Sequence, residues 1–215
     1  MNTVRIWFSK TGEASYISLL DLQRVMSRSI KRSGVPAWYT LGFNPHIYMT
    51  FACPLPLGQE SLVESVDFKT EVEVPDFAVW KEALNRVMPS GIRVERVCPA
   101  ARKAEEIAWA QYTVCYPAGT ATKAVEGYNG LPQAVVEKKS KRGVKPIDLK
   151  EYIPSLALQA GEKGDAFELR LPAGVSFTVN PALLTAFLER EYGLKSSDAQ
   201  ILRTELLTKS GEKFE

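Results

Sequence analysis

Val4, Ile6 and Phe8 alternate with Arg5, Trp7 and Ser9, the period of two that predicts a half-buried strand at the start of the chain. The period then changes. Across residues 19–33, Leu19, Leu22, Met26 and Ile30 recur at helical spacing while Arg24, Arg28, Lys31 and Arg32 fall on the opposite face. Ser18 is placed to cap this helix and Gly34 to end it. A strand is expected over residues 47–52. A longer one is expected over residues 62–74, where Asp67, Lys69, Glu71 and Glu73 alternate with apolar or β-branched neighbours and give it one wet face. Pro75 and Asp76 open a second helix through Trp80, Leu84 and Val87, closed by Pro89, Ser90 and Gly91. Ile92, Val94 and Val97 make a further strand. The order β-α-β-β-α-β is that of a ferredoxin-like unit.

Residues 100–106 are charged and alanine-rich, a boundary between halves. Beyond them, strands are expected over residues 109–116, 133–139, 156–160, 166–171 and 199–207. A helix is expected over residues 181–192, with Asn180 as its cap and Gly193 after its end. The first helix of this half is weak, or replaced by residues 120–129. The expected fold is α+β: two tandem ferredoxin-like units with antiparallel sheets, residues 1–101 and 102–215, the second irregular.

Composition narrows the picture rather than changing it. The chain has 215 residues, 45% hydrophobic and 24% charged, within the range of ordinary globular proteins. Its apolar runs are too broken for a membrane span, and it enters a strand pattern with no signal-peptide pattern, so a cytoplasmic location is expected. Cys53, Cys98 and Cys115 match no zinc or iron–sulfur spacing; buried, reduced thiols are the expectation, with no metal and no cofactor. The net charge of +2 is too small to imply a polyanionic partner, so local clusters must carry that argument.

Residues 40–58, TLGFNPHIYMTFACPLPLG, hold the single histidine, His46, among glycines and prolines that shape the backbone. Asn44 and Pro45 predict a turn there. His46 either hydrogen-bonds that turn or meets a ligand, since imidazole titrates near neutral pH; no nucleophile and acid accompany it. Lys10, between the first strand and helix, either belongs to a polar turn or meets a phosphate. The row Arg24, Arg28, Lys31 and Arg32 is either a solvated face or a phosphate track. Lys138, Lys139, Lys141, Arg142 and Lys145 surround Gly143 in an expected hairpin, as a solubilising tip or a basic finger. Tyr39 and Tyr48 interleave with these cations, as stacking platforms do.

The motifs FSKTG at Phe8 to Gly12, LDL at Leu20 to Leu22, GFNPH at Gly42 to His46 and PLPLG at Pro54 to Gly58 resemble those of the radical-SAM-linked family, a bacterial domain of undetermined activity. The resemblance implies an accessory role in RNA modification or processing beside a cobalamin-binding radical SAM protein. Two positions depart from the pattern. Leu19 stands where the family usually has histidine, and Ile47-Tyr48 where it usually has Pro-Lys, so roles for those residues do not carry over. Without C-x₃-C-x₂-C spacing the chain holds no radical SAM cluster itself.

The leading expectation is a substrate-binding domain without catalytic activity of its own, RNA being the favoured substrate class. Lys10, Arg24, Arg28, Asn44 and His46 would line its site, and Lys138, Lys139, Lys141 and Arg142 would extend it. The alternatives are a metal-independent endonuclease using His46 and a protein docking module.

Overall fold

The computed structural model describes every residue except Lys141, Arg142, Lys163 and Ser176, together with the side chains of all the others save Lys139 and Ser140. In the first half, β1 (Asn2–Lys10) leads through a short 3-10 turn (Gly12–Tyr16) to α1 (Leu19–Ser33). Then come β2 (Met49–Phe51), β3 (Glu60–Thr70), α2 (Phe77–Asn85) and β4 (Ile92–Pro99). The second half contains β5 (Ile107–Tyr116), α3 (Thr122–Gly130), β6 (Val135–Ser140), β7 (Gly143–Asp148), β8 (Gln159–Gly161), β9 (Gly164–Pro172), α4 (Ala182–Tyr192) and β10 (Gln200–Thr208).

The ends of α1 follow from local chemistry. The Ser18 hydroxyl accepts from the Asp21 N–H at 3.2 Å, satisfying one of the donors that a helix start leaves unpaired. Gly34 takes the left-handed conformation at φ 76°, which a side chain would resist. Leu22, Met26 and Ile30 are buried against Ile6, Phe8 and Val94 of the sheet. Each such side chain contributes on the order of 1.5–3 kcal/mol by leaving water. Trp7, on the opposite face of β1, joins the second half's core with Val114, Phe167 and Leu188.

Among the described residues eight strands make one sheet in the order β4-β1-β3-β10-β5-β9-β8, with β2 also paired to β3. All pairings are antiparallel except β10 with β3, where Leu202 faces Glu60 and Arg203 faces Ser61. The length of β3 permits both neighbours: its first residues meet β10, and Val66 to Phe68 meet β2. The α+β class therefore stands, with a mostly antiparallel sheet, and the expected sheet of each half is continuous with the other's. The strand expected over residues 133–139 lies outside it, because β6 pairs, among the described residues, with β7 in a separate ribbon. Residues 120–129, expected to be weakly helical at best, include most of α3. Its N-terminus is held by the buried Asp165 carboxylate, which accepts from the Ala121 N–H at 2.8 Å. A helix starts there because a distant strand supplies the acceptor that Ala121 lacks.

The cap of α4 also differs from expectation. Pro181 occupies the cap position, while Asn180 Oδ1 accepts both from Ala182 N–H at 2.9 Å and from Gln59 Nε2 at 2.7 Å. Asn180 thus ties the helix entrance to the first half of the chain. Among the described residues no helix is long and apolar enough to cross a membrane. Cys53, Cys98 and Cys115 are free and only partly buried, less enclosed than expected.

Candidate functional site

A groove of about 500 Å³ runs between α1 and residues 46–49. One wall is a single face of the helix: Leu20, Gln23, Arg24, Ser27, Arg28 and Lys31. The other is His46, Ile47, Tyr48 and Met49. The helix supplies its wall because residues three and four apart share a face. The opposite wall is fixed by β2, which starts at Met49 and pairs with β3 through Met49 and Phe68.

His46 closes a tight loop. Thr40 N–H donates to His46 O at 2.9 Å, His46 N–H donates to Thr40 Oγ1 at 3.1 Å, and His46 Nδ1 lies 3.0 Å from Asn44 O. A carbonyl oxygen only accepts, so this contact is a hydrogen bond when Nδ1 carries the proton. The neutral ring then keeps Nε2 as an acceptor. The expected bond from the histidine to its own turn is present, and the residue still lines the groove.

Arg24 Nη1 donates to Asp21 Oδ1 at 2.8 Å, with both side chains exposed. The Ser18 hydroxyl first, and this guanidinium second, hold the Asp21 carboxyl below its ordinary range. Arg28 and Lys31 have no carboxylate within 4.0 Å among the described residues. Lys31 Nζ sits 5.4 Å from the Tyr39 ring centre. The groove therefore carries exposed positive charge, at Arg28 and Lys31, that no carboxylate among the described residues pairs, and exposed charge of this kind attracts a polyanion.

Arg24, Arg28 and His46 line the same groove, and Asn44 holds the histidine ring through its backbone carbonyl. Lys10 does not reach the groove. Its side chain is buried at 1% exposure, and its Nζ donates to Ser15 O at 3.0 Å. Lys138 lies in β6, where its Nζ donates to Thr178 O at 2.5 Å and stands 4.1 Å from the Phe177 ring centre. Lys141 and Arg142 lie outside the described residues, as does the side chain of Lys139. Lys31 of the expected row completes the helix wall with Gln23 and Ser27; the spacing of four that links Gln23 and Ser27 to Lys31 is the signal that would have found those two.

Lys10 belongs instead to a buried charged cluster at the seam between β3 and β10. Arg203 Nη2 approaches Glu64 Oε1 at 3.1 Å, with the two side chains 1% and 2% exposed. Arg203 Nη1 also donates to Cys53 O at 2.8 Å. Burial pulls the Lys10 ammonium below its ordinary value, against the opposing pull of Glu64. Burial likewise raises the Cys53 thiol, and it pushes the Tyr112 hydroxyl up to about 12. Arg203 Nε, Arg203 Nη2 and Glu64 Oε1 lack aligned hydrogen-bond partners among the described residues. Among those residues, no three His, Cys, Asp or Glu side chains converge as a metal site would need.

No curated protein matches the chain. A crystal structure of an unknown protein from Galdieria sulphuraria is similar over 93% of this chain and 95% of that one, at 12% identity and a TM-score of 0.27. That likeness bears on neither fold nor function. Residues 3–181 match the family described as "Uncharacterized protein conserved in bacteria (DUF2344)", and the chain belongs to that bacterial family.

Proposed function

We propose that the chain is a substrate-binding accessory domain for RNA modification or processing, with the groove along α1 holding the RNA backbone. The observation that carries this reading is the placement of Arg24, Arg28 and Lys31 on one wall opposite His46 and Tyr48. Cations in a row, two of them without carboxylate partners among the described residues, suit a chain of phosphates better than a single small anion. The role beside a cobalamin-binding radical SAM protein rests on the FSKTG, GFNPH and PLPLG resemblance. The strand orders β4-β1-β3-β2 and β10-β5-β9-β8, each crossed by two helices, support reading the halves as tandem ferredoxin-like units.

Binding of the purified chain to bulk cellular RNA across a salt series tests the proposal. Affinity should fall steeply with salt, and the slope should drop by about one for each phosphate contact removed by Arg28→Glu or Lys31→Glu. Salt-insensitive binding, or unchanged binding by the double variant, would refute it.

A second reading gives His46 a catalytic task. The hydrogen bond from Nδ1 to Asn44 O leaves Nε2 available as a base, the arrangement a proton-transfer step uses. Under it, His46→Ala abolishes RNA cleavage and spares binding. Cleavage retained in that variant would dispose of this role.

A further inference from the structure

A cation row is indifferent to strandedness, because it meets only phosphates. The opposite wall of the groove is not. Tyr48 lines it and is 56% exposed, and Phe43, in the preceding loop, is 105% exposed. Tyr39 starts that loop, bridged to Ile47 and lying under Lys31. Tyr48 thus stands in the wall of one positively charged groove, with Tyr39 beside its Lys31 and Phe43 exposed in the loop that leads to it.

The loop that carries them is closed by hydrogen bonds at its base. Phe43 sits at the apex of a loop closed from Thr40 N–H to His46 O, from His46 N–H to Thr40 Oγ1, and by the Tyr39–Ile47 bridge. Gly42 turns at φ 124°, a conformation that L side chains rarely adopt, so the apex takes a shape that most residues would resist. A loop backbone held in such a frame has little further freedom to lose when a flat partner stacks on the rings it carries.

Resting on the reading of the groove as an RNA site, we infer that it takes unpaired rather than duplex RNA, with bases stacking on Tyr48 and Phe43 while α1 holds the phosphates. Base faces are open to aromatic side chains only in unpaired nucleotides, since a duplex covers them with its own neighbours. From Leu20 to Lys31 the helix wall is about 16 Å long at the α-helical rise, enough to follow a few nucleotides of extended strand. Gln23 and Ser27, between the cations, offer neutral hydrogen-bonding groups to sugars or base edges. Stacking accepts any base, so the site selects for strandedness ahead of sequence. Leu41 and Leu57 are also exposed, at 92% and 64%. The charge beside the rings nevertheless favours a nucleic acid over an apolar protein surface.

The test uses the full chain and a labelled oligoribonucleotide of mixed sequence, measured by fluorescence anisotropy alone and annealed to its complement. Thermal melts of Tyr48→Ala and Phe43→Ala confirm folding, which is expected because both side chains lie outside the core. The single strand should bind at least about tenfold more tightly than the duplex, and each aromatic variant should lose about fivefold or more for the single strand. The salt slope of these variants should stay at the wild-type value. Arg28→Glu, by contrast, should weaken both forms and lower the slope. Equal affinity for both forms, or aromatic variants that bind the single strand as wild type does, would overturn the inference while leaving the groove an RNA site. Binding to neither form would overturn the RNA reading itself, and this inference with it.

Discussion

The seam between β3 and β10 buries two cations and one anion, so removing the anion and removing a cation should have unequal costs. Glu64→Gln keeps the side-chain shape but leaves Lys10 and Arg203, each 1% exposed, with no buried counter-charge. Removing one partner of a buried pair costs about 3–5 kcal/mol, because the remaining charge is stranded. Arg203→Met is different. It takes away the ion-pair partner of Glu64 but leaves Lys10 in Coulombic reach to balance that charge, and it also removes the hydrogen bond to Cys53 O at 2.8 Å. An unsatisfied buried acceptor costs about 1–3 kcal/mol. Urea denaturation followed by tryptophan fluorescence should therefore show Glu64→Gln to be the more damaging change, as a lower midpoint with the slope preserved. The pH dependence adds an independent check. Burial holds Lys10 below its ordinary value of 10.5 in the folded state. Between its folded value and 10.5 the unfolded chain binds more protons, so stability rises with pH in that window. Glu64 opposes that lowering, so Glu64→Gln drops the folded value further and widens the window downward. The deficit of the variant relative to wild type should then shrink as the pH is raised from neutrality toward 10.5. An Arg203→Met deficit equal to or larger than that of Glu64→Gln would refute the charge argument, as would a Glu64→Gln deficit that ignores pH.

Other expectations are simpler. Gly91→Ala should cost about 2 kcal/mol or more, because Gly91 lies at φ 78° and a Cβ there would stand 2.4 Å from Thr11 O. Gly34→Ala, at φ 76° with open space around it, should cost about 1 kcal/mol; urea midpoints would compare the two. Thr40→Val should loosen the His46 loop and weaken RNA binding about two- to fivefold, with global stability within about 0.5 kcal/mol of wild type. Lys138→Ala should leave RNA affinity within about twofold, since its ammonium is already engaged by Thr178 and Phe177. Anisotropy titrations check both binding expectations.

What could be read from the sequence follows the range of the interactions involved. The frame of α1 was legible because a capping serine, a buried stripe and a terminal glycine all act within one helix. Its cationic row was legible for the same reason, and so was the turn around Asn44 and His46. The continuous sheet was not, because it depends on Glu60 and Ser61 meeting Leu202 and Arg203 across the whole chain. No local period encodes that pairing. Lys10 departs from its expected place for a related reason. It follows an apolar strand in a phrase rich in turn formers, which suggests an exposed end. Yet β1 runs through Lys10 and pairs with Ile92 and Ser61 on either side. Burial then required a counter-charge, and Glu64 supplies it from a strand whose sequence reads as an ordinary alternation.

The two clusters of cations differ in whether the fold has answered them, and this separates a site from a scaffold. At the seam, Lys10 and Arg203 face Glu64 and backbone carbonyls, and every one of these side chains is out of solvent. An RNA phosphate could reach them only by opening the pairing of β3 with β10. Along α1 the cations stand in water on a helix whose opposite face is locked into the core by Leu22, Met26 and Ile30. Their backbone positions are fixed by packing, while their charge remains available to a ligand. Groups positioned by a rigid element and left electrostatically unsatisfied are what a binding site requires. The groove meets that requirement, and the buried seam does not.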